Sequence, residues 1–80
     1  MKTIVETATG VSVYMFNDEN APEITAEHVV FNGQVVDTLL NSSNASIVEN
    51  INPPNDWIGR KYILNNGAWT QNPNDPTLTH

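Results

Sequence analysis

The side chains able to do chemistry are few and widely spaced. Four serines, Ser12, Ser42, Ser43 and Ser46, are the candidate nucleophiles, and His28 is the only internal candidate base, the other histidine being His80. Acyl transfer by a serine needs a base to take its proton, an acid to orient that base, and a pocket that holds all three. No serine here has a histidine beside it in sequence, and an 80-residue sheet leaves little room for a substrate cavity. The expectation is a protein that is not an enzyme. Glu23, Glu27 and His28 suggest metal ligation. Zinc takes about three or four N, S or O donors, and one histidine in an extended segment brings few neighbours close. Asp18-Glu19 and Asn74-Asp75 lack the spaced oxygens and sharp glycine turn of a calcium loop. Gly33 and Gly67 have no strand-to-helix context for holding phosphate. No metal and no cofactor is expected.

What remains is binding chemistry, and it gathers in the last third of the chain. Asn52-Pro53-Pro54-Asn55-Asp56-Trp57 is a rigid turn that ends on a large anchor. Tyr62 and Trp69 follow, with Arg60 and Lys61 between, and Lys2 is the only other base. Trp and Tyr carry large apolar areas with one polar handle each, and they dominate both small cores and interface hot spots. Trp57 and Trp69 therefore either close the core or stand in a contact surface; a sugar-stacking platform is the rarer third use. Asp56 is expected to accept backbone N–H groups in the turn after Pro53-Pro54. Arg60 and Lys61 are expected to pair with Asp56 or Glu49, or to face an acidic partner.

Composition narrows the partners. Nine acids oppose three bases, for a net charge of −6. Nucleic-acid binding needs a basic stripe to displace counterions, and anionic membranes need the same. Neither partner is expected. The acids form no run, so mimicry of DNA is disfavoured too. No stretch approaches the roughly 20 apolar residues of a membrane helix. The opening Met1-Lys2-Thr3-Ile4-Val5-Glu6 has no signal-peptide apolar run, which predicts synthesis in a cytoplasm without an N-terminal address. The matches to the glycosylation sequon at Asn41 and Asn44 are then chance. There is no cysteine, so neither disulfides nor thiolate metal sites are available to a chain of 80 residues. A core this small gives a thin margin, and contacts with a partner are the expected supplement.

The elements that must position these residues are strands. Asparagine is over-used, at twelve of 80 residues, and it favours turns because it tolerates left-handed dihedrals. Thr3–Thr7 and Val11–Phe16 read as strands around Ala8-Thr9-Gly10. Residues 17–22 form a loop, and Ile24 to His28 reads as extended chain. Val29–Phe31 and Gln34–Asp37 flank Asn32-Gly33, the strongest short hairpin signal. Ala45–Ile51 is the next strand, ended by Pro53 and Pro54. Lys61–Leu64 and Ala68–Gln71 turn through Asn65-Asn66-Gly67. The fold class is all-β: a small antiparallel sheet, sandwich or partial barrel of six or seven hairpin strands over residues 1–71. A polar, Pro-interrupted tail, 72–80, is expected to extend without packing on the core.

The stretch Asn41-Ser42-Ser43-Asn44-Ala45-Ser46, the triplet Glu49-Asn50-Ile51, the block Pro54-Asn55-Asp56-Trp57-Ile58-Gly59-Arg60-Lys61-Tyr62 and the ending Asn66-Gly67-Ala68-Trp69-Thr70-Gln71-Asn72-Pro73 together carry a resemblance. The chain is similar there, over residues 41–73, to small structural proteins of marine tailed phages, cyanophages included. Their pattern runs D-W-x-G-x-K-Y and then G-x-x-W-T-x-N-P. Two departures stand out: Asn66-Gly67 replaces a usual Asp-Gly, and Arg60 stands where a glycine is expected. The resemblance implies a setting, the virion, and no defined activity. It implies a capsid-surface decoration or cement subunit, with a tail, neck or fibre adaptor as the alternative and a carbohydrate-binding host-attachment module as a further one. The implied partners are the major capsid protein or other virion subunits, with the chain as a homo-oligomer or docked subunit. The residues expected at that interface are Trp57, Arg60, Lys61, Tyr62, Trp69 and Asn72.

Overall fold

A computed structural model describes residues 1–73. Among them there is no helix, and every sheet is antiparallel. Strands β1 (Lys2–Glu6) and β2 (Ser12–Phe16) form the first hairpin, with Ile4 opposite Tyr14. The other edge of β1 pairs with β6 (Ala45–Val48), so that Ile4 also faces Ile47. β3 (Glu23–Ile24), β4 (Val29–Phe31) and β5 (Gln34–Asp37) make a second sheet with β4 in the centre. β7 (Tyr62–Asn65) and β8 (Ala68–Gln71) make the last hairpin. This hairpin extends the first sheet beyond β2: Val11 bridges Ile63, and Leu64 N–H donates to the Gly10 carbonyl at 2.9 Å.

Turn chemistry explains the connections. Asn32-Gly33 and Asn66-Gly67 both have two successive positive φ angles, 54° and 76° in one and 52° and 80° in the other. That is the type I′ turn whose twist matches the flanking strands. The Ile24–His28 segment departs from extended chain. The Thr25 hydroxyl accepts the N–H groups of Glu27 and His28 at 3.2 and 3.1 Å, and Thr25 N–H donates to the His28 carbonyl. A threonine turn of this kind closes a β3–β4 hairpin, so the described residues hold eight strands rather than six or seven. β6 stops at Val48, three residues before the expected end at Ile51, because Asn50 takes a left-handed φ of 57°. Ile51 N–H nevertheless returns to the Met1 carbonyl at 3.1 Å.

β1 is central and buried on both faces: Thr3, Ile4 and Val5 are all buried. Ile4 joins Val11, Val13, Val29, Leu40 and Ala45 in the main core, between the two sheets. On the opposite face, Val5 packs with Ile51 and Leu64, under Met15, Val48 and Trp69. That second face is covered by the irregular segment 51–60 and the last hairpin, so this chain uses loop as a layer of its fold.

Candidate functional site

The segment Asp56–Arg60 follows a path fixed by one irregularity in β2. Register shifts between Ile4 and Val5, leaving Val13 as an extra residue. A bulge of this kind bends the strand and frees backbone groups from the ladder. Gly59 lies against the freed Val13 carbonyl, where a Cβ would sit 2.9 Å from the oxygen. Arg60 N–H then donates to the Ser12 carbonyl at 2.8 Å, and Arg60 turns the chain into β7 with a left-handed φ of 70°. A glycine is at ease in that conformation, which gives physical content to the glycine expected at this position.

A directed chain of hydrogen bonds holds the same segment. Trp57 Nε1–H donates to Ser12 Oγ at 3.0 Å. Ser12 Oγ lies 2.5 Å from Thr3 Oγ1, and the Thr3 hydroxyl donates to the Tyr14 carbonyl at 2.6 Å. A carbonyl only accepts, so Thr3 is the donor there, and Ser12 must donate to Thr3. Ser12 is then left with its lone pairs for the indole. Thr3 and Ser12 are both 0% exposed, and among the described residues no buried side-chain N or O lacks a hydrogen-bond partner.

The six residues expected at an interface are brought together, and each has an internal use. Lys61 Nζ meets Asp56 Oδ2 at 2.9 Å, and Tyr62 O–H donates to Asp56 Oδ1 at 2.8 Å. Those two bonds, Lys61 first, hold the Asp56 carboxyl below its ordinary value. Lys61 Nζ also lies 5.7 Å above the Tyr62 ring, and that ring meets Trp69 edge-on, with centroids 6.3 Å apart. Asp56 thus takes two side-chain donors as well as a backbone N–H, its own, in the turn where the sequence suggested backbone donors; Pro54 supplies the turn carbonyl, to Trp57 N–H at 3.1 Å. Arg60 pairs with Glu6 at 3.0 Å, across 54 residues of chain, in place of Asp56 or Glu49. Asn72 was expected to begin an unpacked tail and is instead 6% exposed. Its backbone N–H reaches the Lys61 carbonyl at 2.9 Å and its side-chain amide the Arg60 carbonyl at 2.8 Å. The packed chain therefore runs through Asn72; positions 74–80 of the expected tail lie outside the described residues.

A second region collects exposed apolar side chains. β5 is an outer strand, and Val35 and Val36 on it are 52% and 40% exposed. Leu39, just beyond, is 76% exposed. Leu39 lines a shallow groove with Leu40, Ala8, Asn44, Glu6 and Arg60, which brings one of the six expected residues to the border of this surface. The strand end is braced from below. Tyr14 O–H donates to Asp37 Oδ2 at 2.7 Å, and Asp37 Oδ1 accepts Leu39 and Leu40 N–H at 2.7 and 3.0 Å. Burial alone would raise the Asp37 carboxyl, but these three donors and the Arg60 charge together hold it below its ordinary value. The same bond to Asp37, then burial, raises the Tyr14 hydroxyl.

The sequence contained one signal for this surface. Successive strand residues point to opposite faces, so adjacent valines on an outer strand cannot both reach the core. Of the residues that suggested metal ligation, Glu23 and Glu27 are exposed and His28 is half-buried. Among the described residues no three His, Asp or Glu side chains converge. Ser12, the buried serine, is held in the tryptophan chain, and Ser43 bonds Asn41. No protein-family model matches the chain, and neither a curated protein nor a solved structure matches it.

Proposed function

We propose that this chain is a non-enzymatic structural protein of a phage virion, a decoration or cement subunit on the capsid surface stabilised by its neighbours. The observation that carries the docking half of the reading is the exposed Val35, Val36 and Leu39 on one outer strand and its extension. A domain of 80 residues with a divided core has little reason to leave three large apolar side chains in water unless something covers them. The virion setting rests on the resemblance read in the motifs of residues 41–73 and on nothing else. A sheet edge that adds to a neighbour's sheet gains main-chain hydrogen bonds along with apolar contact. Repetition over a particle multiplies weak contacts into avidity.

Quantitative mass spectrometry of purified particles tests the reading. Copies in the hundreds, in fixed ratio to the major capsid protein, are the expected result. A few copies to a few dozen would move the chain to the tail or neck. Absence from particles would overturn the virion reading altogether.

A further inference from the structure

The geometry points to β5 as a self-pairing edge: two copies of this chain join antiparallel through Gln34–Val36, about a two-fold axis at Val35. The inference names the partner of the exposed surface described above, and rests on the reading that this surface is covered in the working protein.

The hydrogen-bond pattern of the β4–β5 hairpin sets the edge. Phe31 and Gln34 close the two-residue Asn32-Gly33 turn, and Val30 faces Val35 next. In an antiparallel ladder the pair that closes such a turn exchanges both hydrogen bonds, and the following pair exchanges none. The N–H and C=O of Val35 therefore point away from β4, toward the open side of the sheet. A second β5 brought in antiparallel receives them, with Val35 opposite its own copy and Gln34 opposite Val36 of the second chain. The bulge at Val36 ends the pairing, because Val29 faces Asp37 and leaves Val36 as the extra residue.

Charge selects this occupant. The molecule carries −6, so most surfaces of two copies repel. Positions 32–36, Asn-Gly-Gln-Val-Val, hold no charge at all. The nearest acid, Asp37, is turned inward to Tyr14, Leu39 N–H and Leu40 N–H. In the proposed register no charged side chain faces another, whereas like charges set opposite each other are destabilising. Natural outer strands are commonly guarded by lysine, proline, an inward-pointing charge or a bulge. β5 has no lysine or proline along Gln34-Val35-Val36, and its bulge at Val36 and inward-turned Asp37 confine the open edge to those three residues. An isologous two-fold contact is also the commonest route by which a single chain covers such a surface. The edge is short and buries less than about 1,200 Å², so the dimer is weak and concentration-dependent.

Two measurements test this together. Sedimentation of the full chain from about 1 µM to about 1 mM should show the mass rising toward twice the monomer. Val35→Lys should remain monomeric throughout while its circular dichroism and urea midpoint stay those of the parent, since Val35 is 52% exposed. The chain has no cysteine, so Val35→Cys can be oxidised cleanly. Opposed residues of a hydrogen-bonded pair have Cα atoms about 5.5 Å apart, within disulfide reach. Val35→Cys should cross-link at least about tenfold faster than Leu39→Cys, the more exposed position. A chain monomeric at every concentration, a dimer that survives Val35→Lys, or equal cross-linking at both positions would overturn the inference. A monomer still counted on particles overturns self-pairing and leaves the virion reading standing. A Val35-dependent dimer absent from particles does the reverse.

Discussion

The Trp57 segment has no strand pairing and the outer strand β5 has it on one edge, yet Trp57 is half-buried, with Ile58 beside it 44% exposed, while β5 leaves both Val35 and Val36 exposed. Trp57 has no strand to hold it and is fixed by chemistry: an indole bond to Ser12, a glycine against a bulge carbonyl, and a backbone bond from Arg60. β5, turned by Asn32-Gly33 and bulged at Val36, leaves Val35 and Val36 in water. Strand pairing is thus a poor guide to which side chains of this molecule are covered. The loop satisfies its polar groups and covers the Val5 face of the sheet, whereas the strand satisfies one edge and leaves the other open. The first arrangement holds a layer of the core and the second leaves a sheet edge uncovered among the described residues.

The contrast breaks most sharply at Trp57. Trp57→Ala removes a large half-buried ring and takes from Ser12 Oγ the donor it accepts, and it should cost about 3 kcal/mol in urea unfolding. Ser12→Ala should cost less, about 1–2 kcal/mol, because the ring stays, while the indole N–H loses its acceptor and the Thr3 hydroxyl the donor it receives. Leu39→Ser, at 76% exposure, should fall within about 0.5 kcal/mol of the parent. Equal losses at Trp57 and Leu39 would erase the distinction between a closed region and an open one.

Gly59→Ala sharpens the same side. An added Cβ would lie 2.9 Å from the Val13 carbonyl oxygen, a backbone atom that cannot swing aside. Overpacking of this kind costs about 1–3 kcal/mol, and the loss should appear together with a shift in Trp57 fluorescence as the loop lifts. A neutral Gly59→Ala would mean that the bulge yields, and that the loop is held by the indole bond alone.

The strands and their turns were legible in sequence because their causes are local. Among the described residues, Asn32, Asn50 and Asn66 account for three of the four left-handed residues other than glycine, which is the role that asparagine enrichment predicted. The Asn-Gly turns fixed two hairpins from four residues of information. Contacts across the chain were not legible. The Arg60–Glu6 pair spans 54 residues, and the Trp57–Ser12 bond spans 45. Both depend on the Val13 bulge, and nothing in Val11-Ser12-Val13-Tyr14 distinguishes a bulged strand from a regular one. The burial of Asn72 was missed for a similar reason: its partners are backbone carbonyls of Arg60 and Lys61, which carry no sequence signature.

The Tyr14–Asp37 bond links the two regions and should respond to pH on both sides. Asp37 is held below its unfolded value, so its contribution is present above about pH 3.9 and is lost as pH falls through its folded pKa. Tyr14 is held above its own, so its contribution is present below about pH 10 and is lost as pH rises through the folded value. Asp37→Asn should flatten the acid limb of the urea midpoint in part, since Asp18 and Asp56 are also held low. Tyr14→Phe should flatten the alkaline limb. An acid limb unchanged in Asp37→Asn would show that the brace beneath β5 has no part in stability.

Arg60 sits where the two regions meet, and the smallest expected effect is the most informative about it. Its left-handed φ of 70° costs an arginine on the order of 1 kcal/mol, a cost glycine escapes. Its partly exposed pair with Glu6 returns less than about 1 kcal/mol. Arg60→Gly removes strain and ion pair together and frees the unfolded chain, so it should be neutral within about 0.5 kcal/mol. Arg60→Ala keeps the strained backbone and loses the pair, so it should be the less stable of the two. Reversal of that order would show that the left-handed backbone at position 60 carries no strain that glycine relieves, and that the turn into β7 yields at little cost.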